Sequence, residues 1–376
     1  MKKLLKKIFI LVFILSIVVS IEAEEIKFGV ILPLSGDLVS YGKTTLDGIK
    51  LCVDEINKSG GINGKKIKLI VEDNKGIPVD SKKAYIHLAS SQKVSAIIGP
   101  ITSTNSKNVR RTAKALKVPM ISPTATNDRI TLKNPYVFRA CFNDSFQGRI
   151  IANYASNNLK FKTAALMVDM NSDYSKGLAK SFKKYFKELG GKIVKEEGYQ
   201  QKDTEFGVQL KNIKKSNAEA LFVPGYPPEL PLIIKQAKVI GYKGKLCGAD
   251  GWDNADVING SGDNITGSFI VGAFSKEEKR DIVKKFIKNF KEKYNREPGT
   301  FEALGYDSVL LIAEAAKNGT TPESIKNNLF KIKDFNAVTG KITINKDGDA
   351  EKSAIVLEID KNGDKYETKY KTTVNP

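Results

Sequence analysis

The sequence alternates short apolar runs with amphipathic stretches of helical length, and this alternation restricts the fold more than any other feature. Runs rich in valine and isoleucine, such as IKFGVILPL and VSAIIG, are typical of buried strands. Stretches such as TTLDGIKLCVDEINKSGGI have the apolar spacing of a helix and end at Ser-Gly-Gly. Strands that alternate with helices in this way predict an α/β protein with parallel sheets.

The number of strand candidates predicts two lobes. About ten strands would make an unusually wide single sheet, so two doubly wound parallel sheets are the better prediction. The chain of 376 residues is long enough for two globular domains. The break falls near Asn143, where the strand YVFRAC gives way to a new helix. The tail is strand-like, with turns predicted at Asp347-Gly348 and Asn362-Gly363.

The first 23 residues have the pattern of a secretory signal peptide. MKKLLKK is a basic start, IFILVFILSIVV is an apolar core, and SIEAEE supplies small residues for cleavage after Ser20 or Ala23. No cysteine directly follows the apolar core, so a lipid anchor at a cleavage-site cysteine is not expected. The pattern predicts removal of residues 1–23 and a periplasmic product, with an uncleaved N-terminal anchor as the alternative.

The composition argues against nucleic acid as a partner. The formal net charge of +19 would suit a nucleic acid. However, the lysines are spread along helix faces and interleaved with acids, as in KKFIKNFKEKYNRE. Neither an aromatic–basic RNA motif nor zinc-finger spacing is present. We therefore predict a solvated basic surface and no nucleic acid partner.

Motifs for catalysis, metals and cofactors are also absent from the sequence. With His87 as its single histidine, the chain offers neither a histidine-based triad nor a metal site. It lacks the G-x-G-x-x-G, Walker A and G-x-S-x-G patterns. We predict no cofactor, no metal and no enzyme activity. Cys52 and Cys141 are expected to be buried small hydrophobes, while disulfide pairing among them and Cys247 stays open.

Polar residues collect just after the predicted strands, where open parallel sheets bind their ligands. Ser103 follows VSAIIG at the start of a helix, and the segment Thr124, Ala125 and Thr126 follows VPMIS. Free N–H groups at a helix start, with a serine hydroxyl, suit a carboxylate. Asp250, which follows KLCGA in the other lobe, would then meet an ammonium group. The set predicts a small zwitterionic ligand.

Aromatic residues near the same strand ends would wall such a pocket and cover apolar carbons of the ligand. These residues are Tyr41, Tyr174, Tyr226 and Trp252. Each candidate also has a structural interpretation: Ser103 as a helix cap, Asp250 as a turn residue, and the aromatic residues as packing or rim residues.

Several longer segments together match one family. They are IKFGVILPLSGDLVSYGKTTLDGIKLCVDEINKSGGINGKKIKLIVEDN, AIIGPITSTNSKNV, VPMISPTATNDRIT, FRACFNDSFQGRIIANY and ADGWDNADVI. They resemble the periplasmic (type I) solute-binding proteins of ABC importers, in the group that binds leucine, isoleucine and valine. The resemblance implies two lobes joined by a three-strand hinge. Lobe 1 would be residues 24–143 plus 274–352, and lobe 2 residues 144–273 plus 353–376.

The resemblance also implies roles for individual residues. Ser103 and the backbone at Thr126 would hold the ligand carboxylate. The Thr124 carbonyl, the Thr126 hydroxyl and the Asp250 carboxylate would hold the ammonium. Further matching pocket positions are Tyr41, Tyr174, Tyr226 and, beside the hinge, Asp144.

Three departures from the family pattern leave the preferred side chain open. Asp250 is one methylene shorter than the glutamate usual in leucine binders, Trp252 adds bulk beside it, and Thr124 replaces a smaller residue. The resemblance implies a monomer that delivers an amino acid to a membrane permease. Alternatives are a ligand-sensing module of the same fold, or a binder of urea, short amides or aromatic acids.

Overall fold

The computed structural model describes residues 25–376, so the predicted signal peptide at residues 1–23 lies outside the described residues. The strands are β1 (Glu25–Leu32), β2 (Lys66–Asp73), β3 (Ala96–Ile98), β4 (Met120–Ser122), β5 (Val137–Arg139), β6 (Thr163–Asp169), β7 (Lys192–Tyr199), β8 (Ala220–Phe222), β9 (Lys245–Cys247), β10 (Phe269–Gly272), β11 (Phe335–Ala337), β12 (Gly340–Ile344), β13 (Ala350–Glu351), β14 (Ala354–Asn362) and β15 (Lys365–Val374).

Several helices begin at recognisable capping residues. Side chains of Asn143, Ser172, Asn254 and Thr321 accept hydrogen bonds from backbone N–H groups in the first turns of their helices. The helices are α1 (Val39–Lys58), α2 (Pro78–Ile86), α3 (Ser103–Leu116), α4 (Asp144–Asn153), α5 (Asp173–Glu188), α6 (Gly207–Lys215), α7 (Glu229–Val239), α8 (Ala255–Ser261), α9 (Asp281–Tyr294), α10 (Thr300–Ala316) and α11 (Pro322–Leu329). A short 3₁₀ turn covers Asp250–Trp252.

The strands form two large sheets and one small sheet. The first has the order β2-β1-β3-β4-β5, and all its pairs are parallel. The second has the order β15-β14-β10-β9-β8-β6-β7. Strands β6 to β10 pair in parallel, and the β14–β15 hairpin joins their edge antiparallel to β10. Strands β11, β12 and β13 form the small antiparallel sheet.

Both large sheets are covered by apolar side chains on both faces, as a doubly wound fold requires. On one face of the first sheet, Phe28 of β1 belongs to the same buried cluster as Phe286 of α9 and Phe301 of α10. The other face packs under α2 and α3, with Tyr85 and Val109 in the core. The second sheet likewise separates two buried clusters. The helices α9 to α11 therefore return to the first sheet.

The chain passes between the two sheets three times. The passages lie between β5 and α4, between β10 and α9, and between β13 and β14. The predicted fold class is confirmed: α/β, with two doubly wound parallel-sheet lobes of the type I periplasmic-binding-protein kind joined by a three-strand hinge. Within it we propose lobe 1 as residues 24–143 plus 274–352 and lobe 2 as residues 144–273 plus 353–376.

The structure adds elements that the sequence pattern did not predict. Helix α1 begins at Val39, ahead of the predicted start at Thr44, which places Tyr41 in its first turn. Strand β10 and helices α8 and α11 were not predicted, because each is short. None of the described helices has both the length and the hydropathy needed to cross a membrane. All three cysteines are buried free thiols, as the apolar pattern suggested for Cys52 and Cys141.

Candidate functional site

The carboxyl ends of β3 and β4 bring Ser103 and the Thr124–Thr126 segment together. Ser103, which starts α3, is fully buried, and its Oγ accepts a hydrogen bond from Asn127 N at 3.1 Å. The Thr124 hydroxyl donates to the Ile101 carbonyl at 2.7 Å. Ala125 is held from both sides, because its N–H donates to Ser122 Oγ at 3.1 Å and its carbonyl accepts from Arg139 at 3.0 Å. These bonds fix a turn of backbone groups beside the start of α3.

On the opposite lobe, Asp250 lies at the centre of a hydrogen-bonded group. Its Oδ1 accepts from Gln147 Nε2 at 2.9 Å and from the Tyr174 hydroxyl at 2.8 Å. The Gln147 carbonyl oxygen accepts from Asp250 N at 3.3 Å, and the Tyr174 hydroxyl accepts from Gly251 N at 3.0 Å. The group joins α4, α5 and the 3₁₀ turn, so Asp250 is held rigidly by lobe 2 alone.

A row of aromatic rings connects the two lobes. Tyr41 of α1 stacks on Phe301 of α10 with ring centroids 4.4 Å apart, and it meets Tyr226 edge-on at 5.8 Å. Tyr226 in turn stacks on Tyr174 at 4.6 Å. The Tyr41 hydroxyl donates to the Gly251 carbonyl across the cleft. The row forms an apolar wall next to the Asp250 carboxylate.

Thr126 and Asp144 meet where the chain first leaves lobe 1. Asp144 N donates to the Thr126 carbonyl at 2.8 Å, and Asp144 Oδ2 accepts from Asn127 Nδ2 at 3.2 Å. The Thr126 hydroxyl is buried and faces the Asp144 carboxyl without a well-formed hydrogen bond. Burial raises the pKa of Asp144 well above its ordinary value, and the nearby Asp128 carboxylate adds to this rise.

The electrostatic state of Asp250 follows from its burial. Burial raises the pKa of Asp250 to about 6, against the opposing hydrogen bonds from Gln147 and Tyr174. Both of these donors are neutral and bind Oδ1. Within residues 25–376, no lysine or arginine forms an ion pair with Asp250. A buried carboxylate that lacks a cation suits a cationic group on a ligand.

Trp252 does not join this group. Its ring is fully buried in the core of lobe 2, and its Nε1 donates to the Val223 carbonyl at 2.7 Å. A Cβ built on Gly248 would touch the ring at 2.2 Å, so the ring packs directly on the end of β9. The structure therefore brings the other nine predicted site residues toward the cleft and places Trp252 behind it.

Three residues at the site were missed by the sequence reasoning: Gln147, Phe301 and Asn127. Gln147 lies three residues after Asp144 on α4, so the helical period places both on neighbouring parts of one face. That spacing was the available signal for Gln147. Nothing local distinguishes Phe301 from the other apolar residues of α10, since its contact with Tyr41 is long-range.

The two lobes also touch beyond the aromatic row. Lys107 of α3 forms an ion pair with Asp173 of α5 at 2.7 Å, and Asp173 N donates to the Thr104 hydroxyl at 3.1 Å. The Thr300 hydroxyl donates to the Asp253 carboxylate. At the mouth of the cleft a cavity of about 530 Å³ is lined by residues of both lobes, among them Thr102 and Tyr226. A cleft between two lobes is a common binding place for a small molecule.

The family is shown by comparison with known sequences. The chain belongs to the periplasmic binding protein family, whose pattern matches residues 25–364. A relative in Pseudomonas aeruginosa, named a leucine-, isoleucine-, valine-, threonine- and alanine-binding protein, is 27% identical over 335 residues, which cover 88% of each chain. The expected resemblance is thereby confirmed. The relatives are named as binding proteins and not as enzymes.

Solved structures agree with this assignment. The branched-chain amino acid substrate-binding protein LivJ of Streptococcus pneumoniae, in complex with isoleucine, has a TM-score of 0.86 and 37% identity over 93% of this chain and 100% of its own. The leucine-binding protein LivK of Thermotoga maritima has a TM-score of 0.88 and 31% identity, over 93% and 99% of the two chains. A solute-binding protein of Rhodopseudomonas palustris with 3,4-dihydroxybenzoic acid has a TM-score of 0.83 and 25% identity, over 93% and 97%.

Proposed function

We propose that this protein captures a small amino acid in the cleft between its lobes and delivers it to the membrane permease of an ABC importer. The observation that carries this proposal is the Asp250 carboxylate, which is buried among neutral donors and lacks a cationic partner within the described residues. Desolvated carboxylates are costly unless a positive charge approaches them. The ammonium of an amino acid supplies that charge.

The other lobe offers suitable groups for the carboxylate of the same ligand. Ser103 Oγ already accepts a hydrogen bond from Asn127 N, so its own proton is available to a ligand. Ser103 also begins α3, where unpaired N–H groups and the helix dipole favour an anion. Thr124, Ala125 and Thr126 add backbone groups next to it. One amino acid would thus be held at both ends by different lobes.

The aromatic row favours an apolar or aromatic side chain on the ligand. Tyr41, Tyr226 and Phe301 present ring surfaces beside Asp250, and such surfaces bind aliphatic carbons. The ligand names of the Pseudomonas and Streptococcus relatives support a branched-chain amino acid. Export by the signal at residues 1–23 and docking of a monomer on the permease complete the proposal.

Isothermal titration calorimetry against the common amino acids tests the proposal. We expect saturable heat with at least one apolar amino acid, leucine, isoleucine and valine being the first candidates. Absence of binding by every amino acid would contradict the proposed function. Benzoate and 3,4-dihydroxybenzoate belong in the same panel, because the Rhodopseudomonas palustris protein makes an aromatic acid the second candidate ligand.

Asp250→Asn separates the two candidate ligand classes. The substitution keeps the shape of the side chain but removes the charge that would pair with an ammonium. We expect binding of the amino acid to weaken about 30-fold or more, since loss of one partner of a buried charge pair costs about 2 kcal/mol or more. Binding of the carboxylic acid that lacks the amino group, 4-methylpentanoate in the case of leucine, should stay nearly unchanged.

Asp263→Asn is the matched control for this experiment. Asp263 is also an aspartate of lobe 2, but it lies on the surface and pairs with Lys361 and Tyr366. Its substitution should leave the affinity unchanged. Equal weakening of both ligands in Asp250→Asn would show that Asp250 does not face an ammonium and would favour an aromatic acid or amide as the ligand.

A further inference from the structure

The side chain of Gln147 binds Asp250 in two places at once. Its Nε2 donates to Asp250 Oδ1 at 2.9 Å, while its carbonyl oxygen accepts from Asp250 N at 3.3 Å. Only one orientation of the amide satisfies both bonds, since a carboxylate needs a donor and an N–H needs an acceptor. Gln147 is fully buried on α4, so it cannot exchange these partners for water. Both the backbone and the carboxylate of Asp250 are thereby held in one position.

The side chains of the described residues bind only one of the two Asp250 oxygens, while the backbone N–H of Gly251 also stabilises the carboxylate. Gln147 and the Tyr174 hydroxyl both bind Oδ1, and neither donates to Oδ2. We infer that Gln147 is a positioning residue for specificity: it holds Asp250 so that Oδ2, which no side chain binds in residues 25–376, faces the ammonium of the ligand, and it thereby selects amino acids over carboxylic acids without an amino group. This inference rests on the proposed function.

A glutamine suits this task better than a cation would. Lysine or arginine at this position would neutralise Asp250 and remove its attraction for an ammonium, whereas an amide stabilises the ionised form and leaves its charge in place. The hydrogen bond from Gln147 lowers the pKa of Asp250, which burial raises to about 6. Loss of the amide donor should therefore leave less of Asp250 ionised near neutral pH.

Other titratable groups face Asp250 and must be separated from it in any pH experiment. They are Tyr41 of α1, Tyr174 of α5, Tyr226, Cys141, Asp144 of α4 and Asp253. Burial raises the pKa of Asp253 to about 6 as well, so Asp253 is the group that most resembles Asp250 in titration. An assay that cancels effects common to all ligands is therefore needed.

The ratio of two affinities provides such an assay. Calorimetry measures the affinity for leucine, or for the amino acid of the panel that binds most tightly, and for the same molecule without its amino group. The ratio is the first affinity divided by the second. The ratio is followed from about pH 5.5 to 7.5, where the α-ammonium of a free amino acid, unlike that of a chain terminus, stays charged. Effects on lobe closure or folding change both affinities alike and cancel in the ratio. The ratio therefore reports the pairing of the ammonium with Asp250. In the wild type the ratio should fall as Asp250 takes up a proton.

We expect Gln147→Met, which keeps the volume but removes both hydrogen bonds, to lower the ratio about tenfold at pH 7.5. The midpoint of the pH dependence of the ratio should move upward by about one unit, because burial raises the pKa of Asp250 and the hydrogen bond from Gln147 no longer lowers it. The affinity for the ligand without the amino group should change less than about twofold. Gln147→Leu removes the same two hydrogen bonds with a shorter side chain, so it should lower the ratio in the same direction.

Gln236→Met is the matched control. Gln236 is another lobe 2 glutamine whose amide bridges two backbone groups, Phe206 N at 2.8 Å and the Thr204 carbonyl at 2.7 Å, far along α7. Gln236→Met should leave the ratio and its midpoint at the wild-type values. Asp253→Asn should leave the midpoint in place or lower it, because it removes a neighbouring negative charge, whereas Gln147→Met should raise it.

The outcomes distinguish this inference from the proposed function. If Asp250→Asn brings the ratio close to one while Gln147→Met and Gln147→Leu leave the ratio and its midpoint unchanged, the role of Gln147 is overturned and the function stands. If the wild type binds no amino acid, or if Asp250→Asn leaves the ratio unchanged, the proposed function fails and this inference fails with it.

Discussion

At the scale of single residues, Ser103 and Asp250 divide the recognition of one small ligand between two lobes. Ser103 begins a helix after β3, and Asp250 begins a 3₁₀ turn after β9. Each follows a parallel strand, where such folds place their ligands. Their positions were predicted from the sequence because strand ends can be read from the apolar pattern. Their roles as ligand contacts stay predictions.

The Ser103→Ala variant tests the carboxylate end. The Ser103 hydroxyl would donate to the ligand carboxylate, and a hydrogen bond to a charged group contributes roughly 1.5–3 kcal/mol. We expect calorimetry to show weaker binding by about tenfold or more, both for the amino acid and for the same molecule without its amino group. A variant that weakens only the amino acid would contradict this assignment. Thermal unfolding checks that the lost acceptor for Asn127 N has not unfolded the protein.

Single residues also show where reading the sequence falls short. Trp252, two residues after Asp250, was predicted as part of the pocket wall, yet its ring lies in the core of lobe 2. Adjacent residues on a tight turn point in different directions, and the sequence does not state which one faces the cleft. Gln147 is 103 residues from Asp250 along the chain, so only the packing of α4 against the 3₁₀ turn reveals their bond.

At the scale of elements, the contact between α1 and α10 depends on two glycines. A Cβ on Gly48 would lie 1.9 Å from the Glu302 carbonyl oxygen, and one on Gly305 would lie 2.4 Å from the Thr45 carbonyl oxygen. The two backbones therefore approach more closely than any side chain allows. This contact positions both Tyr41 and Phe301, which stack at the cleft.

Gly48→Ala should destabilise lobe 1. The added methyl group must push α1 and α10 apart, and overpacking of this kind costs roughly 1–3 kcal/mol. Urea denaturation should show a lower midpoint. The matched control is Gly207→Ala, in the first turn of α6, where an added Cβ meets nothing within 4 Å. There alanine should leave the stability equal or slightly higher, because it favours the helix. Equal effects of the two substitutions would contradict the packing argument.

At the scale of the whole molecule, we expect contact between the lobes to depend on pH. Asp253 of lobe 2 accepts a hydrogen bond from Thr300 of lobe 1, and burial raises its pKa to about 6 from an ordinary value of 3.8. Burial likewise raises the pKa of Asp250 to about 6. Separation of the lobes would break the bond from Thr300 and return Asp253 to water, whereas Asp250 keeps its partners Gln147 and Tyr174 within lobe 2. A raised pKa means that the buried state binds protons more readily, so a fall in pH favours closure.

We therefore expect the ligand-free protein to be more compact at about pH 5.5 than at about pH 7.5, with the change centred near the raised pKa values. Small-angle X-ray scattering measures this as a smaller radius of gyration at the lower pH. Asp253→Asn keeps an acceptor for Thr300 but no longer titrates, so the change should shrink. A radius that does not depend on pH, or that grows as pH falls, would contradict the coupling.

The sequence by itself determined the class of fold. The two periodicities of the apolar residues, near 3.6 and near 2, specify helices and strands locally, and their alternation specifies doubly wound sheets. The resemblance carried by whole segments extended this to the family, which the comparisons confirm. Short elements such as β10 and α8 were not predicted, because they contain too few residues to show a clear apolar periodicity.

Only the tertiary structure decided how the site is assembled. The bonds that matter there join residues far apart in the chain, such as Tyr41 with Gly251 and Gln147 with Asp250. Neither local period nor residue type encodes such pairs, because they arise from how α1, α4 and the 3₁₀ turn come to lie beside one cleft. The same folding buries the charge of Asp250 without a cation from residues 25–376. Burial depends on the surrounding elements, so it cannot be read from the residue type at one position.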